Sequence, residues 1–223
     1  AWDPVRQNLV WEQVLPSFCD CGVIATAGNL VFRGTSSGHL LAYAADTGKL
    51  LHKVDVGTSI IAAPMTYELD GEQYVAVLAG FGGAGGVGFA PYTAAYKYGN
   101  EGRLVVFKLG GGPVPRPAPF VDRPYPEAIA AFGTPKQIEA GGMAFARNCG
   151  RCHVPGRGLM PDLTRSPAIA DAAAFRAIVL EGALAPAGMG RFDDVLSAAD
   201  AEAIRAFLVS QPRQPGPSEE KAK

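Results

Sequence analysis

The sequence lacks a hydrophobic run of the length, about 18 residues, that a transmembrane helix requires. It also lacks an excess of charge of either sign, because 20 Lys and Arg face 21 Asp and Glu for a net charge of −1. Nothing therefore resembles the basic surface of a nucleic-acid-binding protein. Charged residues are scarce, at 18% of 223 residues, and apolar residues make up 48%. We expect one or two folded domains with sizeable cores, no nucleic-acid partner and no transmembrane segment.

A recognisable signal peptide is missing as well, and the chain starts at Ala1 inside a β-type repeat. We therefore expect that the start has been removed or that the chain is part of a longer protein.

Residues 1–109 consist of short β-type runs between turn signals. Runs at 23–26, 30–32, 39–43 and 49–54 predict four antiparallel strands, and runs at 60–69, 73–78 and 103–107 predict three more around an Asp70-Gly71 hairpin turn. A repeat of period 41 supports this division, with Ala1, Trp2, Leu9 and Trp11 recurring as Ala42, Tyr43, Leu50 and His52. This period is typical of a β-propeller blade; an antiparallel sandwich with a chance repeat is the alternative. Fewer than two blades cannot close a ring, so most of such a propeller would lie outside this chain.

The segment 110–133 is predicted to be a linker. Six prolines fall within residues 113–126, a composition that favours extended polyproline II and a semi-rigid spacer of about 40 Å. Residues 134–211 then predict helices: Thr134, Pro135 and Gln137 form an N-terminal capping signal, a second helix starts at Asp171 and a third at Ser197. Residues 212–223 predict a disordered tail.

The motif Cys149-Gly150-Arg151-Cys152-His153 carries the clearest chemistry. Two thiols at this spacing can form thioethers to both vinyl groups of one haem, and the histidine that follows becomes an axial ligand of the iron. A thioredoxin-like thiol pair would need a βαβ setting, and a zinc site would need further ligands nearby. The other histidines, His39 and His52, lie in the β-rich region. The motif therefore predicts one covalently bound haem c.

The sixth iron ligand is predicted to be Met189, which lies 36 residues after His153 in a loop flanked by Gly188 and Gly190. Met160 follows His153 by only seven residues and is expected to have a packing role. Ligation by histidine and methionine raises the potential and suits an electron carrier. Pro161 is a candidate to offer its carbonyl oxygen to the second nitrogen of His153.

These motifs in residues 134–211 resemble a class I cytochrome c domain. The β-rich region is similar to the closing blades of pyrroloquinoline quinone (PQQ) dehydrogenases, in the docking pattern Ala1-x-Asp3 with Trp11 and in the runs 26–35 and 70–77. Together they resemble the C-terminal part of the quinohaemoprotein alcohol dehydrogenases. The fold class implied is an incomplete all-β propeller segment of about two blades followed by an all-α cytochrome c domain.

The resemblance implies electron transfer as the output end of a periplasmic enzyme. Alcohol would be oxidised at PQQ over Ca²⁺, both bound mostly outside this chain, so no catalytic residue is predicted here and the chain alone is expected to be inactive. The expected partners are the remainder of the propeller, in the same or a separate polypeptide, and an external acceptor, either a quinone or a small redox protein. The alternative is a stand-alone periplasmic cytochrome whose β part is a scaffold without quinone chemistry.

Two departures from the family accompany the resemblance. Ala44 and His52 stand where the second docking repeat favours Asp and Trp. Cys19-Asp20-Cys21-Gly22 replaces the usual Trp-Asn-Gly-Gly, so Cys19 and Asp20 are candidates for the vicinity of the quinone. Cys19 and Cys21 would share a strand face and are interpreted either as a strained disulfide or as two buried thiols.

One motif is expected to be misleading. Residues 80–85 match the glycine pattern of dinucleotide-binding loops, but the sequence that follows shows no helical periodicity, which such a site requires. We interpret these glycines as turn residues.

Overall fold

The computed structural model describes residues 1–15, 21–82 and 88–213. Its contacts divide the chain into two compact units, one made of residues 1–84 and 89–120 and the other of residues 85–88 and 121–223. Each unit has its own hydrophobic core.

The first unit begins with the short antiparallel strands β1 (Trp2–Asp3) and β2 (Asn8–Leu9). Trp11 then reaches the sheet that follows, where its indole N–H donates to the Ala45 carbonyl oxygen at 2.8 Å. The indole ring also covers Gly48, at which a Cβ atom would come within 2.6 Å of the ring. Trp11 therefore connects the first β segment to the sheet that follows, in the kind of docking contact that the family resemblance implies.

The next sheet is the predicted four-stranded blade. Its strands pair antiparallel in chain order, and Asn29 adopts a positive φ of 61° in the first turn, a conformation that asparagine tolerates better than most residues. The strands are β3 (Val23–Thr26), β4 (Leu30–Gly34), β5 (His39–Ala44) and β6 (Leu50–Asp55).

A second, three-stranded sheet contains β7 (Met65–Leu69), β8 (Glu72–Ala79) and β9 (Arg103–Lys108). Asp70 and Gly71 both have positive φ angles, 53° and 77°, as the predicted hairpin turn requires. The prediction that the first strand starts at residue 60 is wrong, because Ile60 makes only an isolated parallel bridge to Gly80 and Pro64, which has no N–H to donate, immediately precedes β7.

The core of this unit is formed by residues of β5 and β8 and of the connection between β6 and β7. Ile60 and Val77 are fully buried in it, with Leu40, Val56, Val75 and Ala79 completing the buried cluster.

The glycine-rich excursion between β8 and β9 contains a helix that the sequence analysis did not predict. This helix, α1 (Ala94–Tyr98), is capped by the Thr93 hydroxyl, which accepts the Tyr96 N–H, and ends at Gly99. Residues 83–87 lie outside the described ranges, and residues 88–93 after them are not helical. No helix therefore begins in the described part of the glycine pattern, and the interpretation of these glycines as turn residues stays a prediction.

The second unit contains the three predicted helices: α2 (Pro135–Asn148), α3 (Ala172–Val179) and α4 (Ala198–Ser210). Complete capping boxes begin α2 and α4, and the Asp171 carboxylate accepts two backbone N–H groups at the start of α3. Three short 3-10 helices connect them, at Leu163–Arg165, Pro167–Ala170 and Ala185–Ala187.

Helices α2 and α4 cross at close range. A Cβ atom at Gly141 would overlap the carbonyl oxygen of Ala203, so only glycine allows the two backbones to approach this closely. Phe145 and Phe207 pack beside the crossing with their ring centroids 5.6 Å apart. Ile204, on the same stretch of α4, is fully buried at the centre of the helical core.

The Pro-rich segment is divided between the two units. In its first half, the Arg103 guanidinium donates to the Pro115 carbonyl at 2.8 Å, and Arg116 pairs with Asp55 at 2.7 Å. In its second half, the Tyr125 ring lies 4.0 Å from the guanidinium carbon of Arg165. Each half therefore packs along the surface of the unit to which it belongs.

Candidate functional site

The thiols and the imidazole of the haem-attachment motif lie in one tight turn at the end of α2. Cys149 is the C-cap of the helix. Its carbonyl oxygen accepts the backbone N–H groups of Cys152 and His153 at 3.0 and 2.9 Å. The capped helix therefore leads directly into the turn that brings the three predicted side chains together.

The two cysteines are unpaired thiols in different surroundings: Cys149 is buried and Cys152 is exposed. Cys149 belongs to the core cluster of the helical unit. Its burial, with a smaller contribution from Cys152, raises the pKa of the Cys149 thiol to about 11. A redox-active pair needs an easily ionised thiol, so this environment disfavours the thioredoxin-like alternative.

The His153 ring is held by a residue of the following loop. Only 8% of His153 is exposed, and its Nδ1 lies 2.8 Å from the Pro161 carbonyl oxygen. Because a carbonyl can only accept, Nδ1 carries a proton, which leaves Nε2 as the nitrogen through which this ring would bind a metal ion. Among the described residues none forms a hydrogen bond with Nε2, so this nitrogen is available to a metal ion. The Pro161 carbonyl therefore lies on the second nitrogen of the His153 ring, and the assignment of His153 as an iron ligand stays a prediction.

Asp162 organises the loop behind the histidine. One carboxylate oxygen accepts the Gly156 N–H at 2.8 Å, and the other accepts both the N–H and the hydroxyl of Thr164. This role was not predicted, although an aspartate directly before a short helix is a recognised capping signal.

Met189 lies between α3 and α4, in the turn that follows a 3-10 helix. Gly188 adopts the left-handed conformation there, with φ of 90°, and the Met189 N–H donates to the Leu184 carbonyl oxygen at 3.2 Å. The Met189 side chain is half-buried, whereas Met160 is 42% exposed. The assignment of Met189 as the sixth iron ligand stays a prediction.

The quinone-side candidates cannot be placed in the same way, since Cys19 and Asp20 lie outside the described residues. Cys21 is buried and disulfide-bonded.

Across the described ranges, no group of three or more His, Cys, Asp or Glu residues forms a metal-ion site, so the zinc alternative for the CxxCH motif has no ligand set there. A cavity of about 620 Å³ lies in the first unit, at the ends of β8 and β9.

Two family models match the chain, one in each of its halves. Residues 7–75 match the glucose, ethanol and alcohol dehydrogenase β-propeller domain of the PQQ family. Residues 136–208 match the model for subunit III of cbb3-type cytochrome c oxidase. No helix in the described part of the chain is both long enough and apolar enough to span a membrane.

Curated relatives match almost the whole chain. The quinohaemoprotein alcohol dehydrogenase ADH IIB of Pseudomonas putida is 41% identical over 95% of this chain and 31% of its own length. Lupanine 17-hydroxylase [cytochrome c] of a Pseudomonas species is 38% identical over 95% of this chain and 31% of its own length. The chain therefore spans about 31% of these relatives.

Solved structures show the same relation. The quinohaemoprotein alcohol dehydrogenase ADH-IIG of P. putida superimposes with a TM-score of 0.80 at 35% identity, over 94% of this chain and 31% of that one. The enzyme of Comamonas testosteroni superimposes with a TM-score of 0.72 at 34% identity, over 93% of this chain and 30% of that one.

Proposed function

We propose that this chain, which belongs to the quinohaemoprotein alcohol dehydrogenases and corresponds to their C-terminal part, transfers electrons through a haem c covalently bound by its helical unit. One observation carries the proposal. The Nδ1 of the His153 imidazole lies on the Pro161 carbonyl oxygen, its Nε2 has no hydrogen-bond partner among the described residues, and the ring is one turn from two unpaired thiols.

Four side chains hold the group in this proposal. Cys149 and Cys152 would hold the haem through thioether bonds, and His153 and Met189 would be the ligands of its iron. When bound, a haem c supplies a one-electron carrier that accepts and releases electrons without proton transfer to substrate.

The protein determines how this carrier behaves. Pro161 fixes the orientation and tautomer of the His153 ring, because its carbonyl accepts the Nδ1 proton. The packed core around Cys149 keeps that side of the site dry. A thioether ligand at Met189 favours the reduced iron and raises the potential, which suits the acceptance of electrons from a donor within the same enzyme.

The activity of the whole enzyme belongs to the proposal as well. PQQ and Ca²⁺ would be bound mostly by blades outside this chain and would supply the alcohol-oxidising chemistry, and the haem of this chain would supply a one-electron route to an external acceptor. That acceptor is a quinone or a small redox protein, and the compartment is the bacterial periplasm. Names such as 1-butanol dehydrogenase (cytochrome c) for a relative from Thauera butanivorans support an alcohol substrate. The chain alone should have no dehydrogenase activity.

The first test is a pyridine haemochrome spectrum of denatured protein, made in cells that attach haem c. The expected result is one covalent haem per chain, lost in the Cys149→Ala/Cys152→Ala variant. Protein without covalent haem would leave only a thiol pair and would overturn the proposal.

The methionine ligand has a separate, matched test. Met189→Ala should abolish the weak sulfur-to-iron band at the red end of the oxidised spectrum, whereas Met160→Ala, the same change at an exposed methionine, should leave the band intact. The reverse pattern would reassign the ligand to Met160.

A further inference from the structure

The loop between His153 and Pro161 decides where the carbonyl that fixes the imidazole lies. Residues 154–161 contain no helix and no regular strand, so the backbone there is held by individual contacts. Gly156 donates its N–H to Asp162, and Gly158 forms an isolated bridge to Gly88 of the same unit. Arg157, between these two glycines, provides the side-chain anchor.

Arg157 forms a two-pronged ion pair with Asp122 of the Pro-rich segment. Its Nε donates to one carboxylate oxygen at 2.9 Å and its Nη2 donates to the other at 2.8 Å. The two side chains are only 9% and 10% exposed. In each of the other six ion pairs among the described residues, at least one side chain is 47% exposed or more. The pair is thus both geometrically specific and shielded from water.

We infer that Asp122 and Arg157 are positioning residues for the axial histidine, holding the loop so that the Pro161 carbonyl stays on His153 Nδ1. The inference rests on the proposed function, because it concerns how a bound haem iron is tuned. It assigns the second half of the Pro-rich segment a role at the redox site, in addition to that of a spacer.

The physical argument is that neither partner can be removed without disturbing the loop. Loss of Arg157 leaves the buried Asp122 carboxylate without this cation, and loss of Asp122 takes this carboxylate away from the buried guanidinium; either change favours exposing the remaining side chain to water. Arg157 is four residues before Pro161, so its movement lets the carbonyl withdraw from the ring. An imidazole that loses this hydrogen bond donates less electron density to the iron, which destabilises the oxidised form and raises the reduction potential.

Direct electrostatics predicts a different pattern, and this allows a test. Asp122→Asn removes a negative charge, and Arg157→Gln removes a positive one. If the two residues acted only through their charges, the first variant would raise the potential of the haem and the second would lower it. If they position the loop, both variants raise it. The charge-swapped double variant, Asp122→Arg with Arg157→Asp, restores the pair and should return the potential towards that of the parent.

The experiment measures the reduction potential by spectroelectrochemistry, and the exchange of the His153 Nδ1 proton by NMR, on full-length protein with haem attached. Both single variants should raise the potential and accelerate proton exchange by about tenfold or more, because a local opening has become easier. Glu181→Gln, which breaks the exposed Arg176–Glu181 pair of the same unit, is the matched control and should change neither. Arg157→Lys keeps the charge but loses the two-pronged geometry and should lie in between.

Opposite potential shifts in the two single variants, or unchanged exchange and potential with haem still attached, would overturn the inference. Backbone hydrogen exchange of residues 154–162 provides a readout for any variant that does not retain haem: faster exchange in this loop supports the positioning role, and parental exchange contradicts it. Failure of the proposed function is distinct, since the parent protein itself would then carry no covalent haem.

Discussion

The close approach of α2 to α4 at Gly141 offers a stringent test of the packing described above. In an exposed helix, Gly→Ala stabilises a protein by about 1 kcal/mol, because alanine loses less conformational freedom on folding. At Gly141 the new methyl group would overlap the Ala203 carbonyl oxygen and come within 2.9 Å of the Ile204 nitrogen. These are backbone atoms of α4, so no side-chain rotation can make room.

The helices would have to separate by about 1 Å, which weakens dispersion contacts along the whole crossing. Overpacking of this kind costs about 1–3 kcal/mol, and the upper end applies because a backbone must move. After the gain of about 1 kcal/mol from helix propensity, Gly141→Ala should lower the free energy of unfolding by about 2 kcal/mol. At an m-value of about 2 kcal/mol per molar urea, the midpoint falls by about 1 M.

Urea unfolding of the full chain, followed by far-UV circular dichroism, measures this change. Gly142→Ala is the matched control, because it makes the same substitution in the same helix. There the added Cβ atom meets only carbons of the Phe207 ring at 3.1 Å, and the ring can shift, so the change should stay within about 1 kcal/mol. A Gly141→Ala protein as stable as its parent would refute the argument that this crossing requires glycine.

Two further predictions concern helix caps. Thr134→Ala removes the hydroxyl that accepts the Gln137 N–H at the start of α2 and should lower the free energy of unfolding, measured by urea titration, by about 1 kcal/mol. Thr134→Ser keeps the hydroxyl and is the control. An unchanged urea midpoint for the alanine variant would contradict the role of this cap. At the start of α4, the Ser197 hydroxyl and N–H lower the pKa of Asp200 below its ordinary value. A carboxyl with a lowered folded-state pKa stabilises only when ionised, so the advantage of the parent over Asp200→Asn in thermal unfolding should be full at neutral pH and disappear as the pH falls through the folded-state pKa. A difference independent of pH would show that the Asp200 charge makes no contribution.

Local signals in the sequence predicted the elements that carry the chemistry. The start of α2 follows from Thr134, Pro135 and Gln137, because these signals act within one helical turn. The same holds for the hairpin at Asp70-Gly71, where two positive φ angles select the residues.

The helix α1 was missed because five residues are too few to show a helical period. Local signals for both of its ends are nevertheless present in the sequence, because Thr93 is the N-cap and Gly99 is the C-cap of this helix. The start of β7 was misplaced for another reason, since the apolar run from Ile60 enters the core as a connection rather than as a paired strand.

The ion pair between Asp122 and Arg157 joins residues 35 positions apart. No local pattern distinguishes these two residues from the other aspartates and arginines of the chain. Only the folded structure shows that both side chains are buried and face each other, so the connection between the Pro-rich segment and the histidine loop was beyond sequence reasoning.

The burial of this one ion pair also determines how the protein should respond to ionic strength. At about 0.1 M salt, interactions between exposed charges are screened beyond about 10 Å, whereas a pair shielded from water is affected much less. The six exposed pairs should therefore weaken on addition of salt while the histidine loop stays in place. Salt titrations of electron transfer to the proposed external acceptor would then report on the encounter with that acceptor, with the environment of the histidine left unchanged.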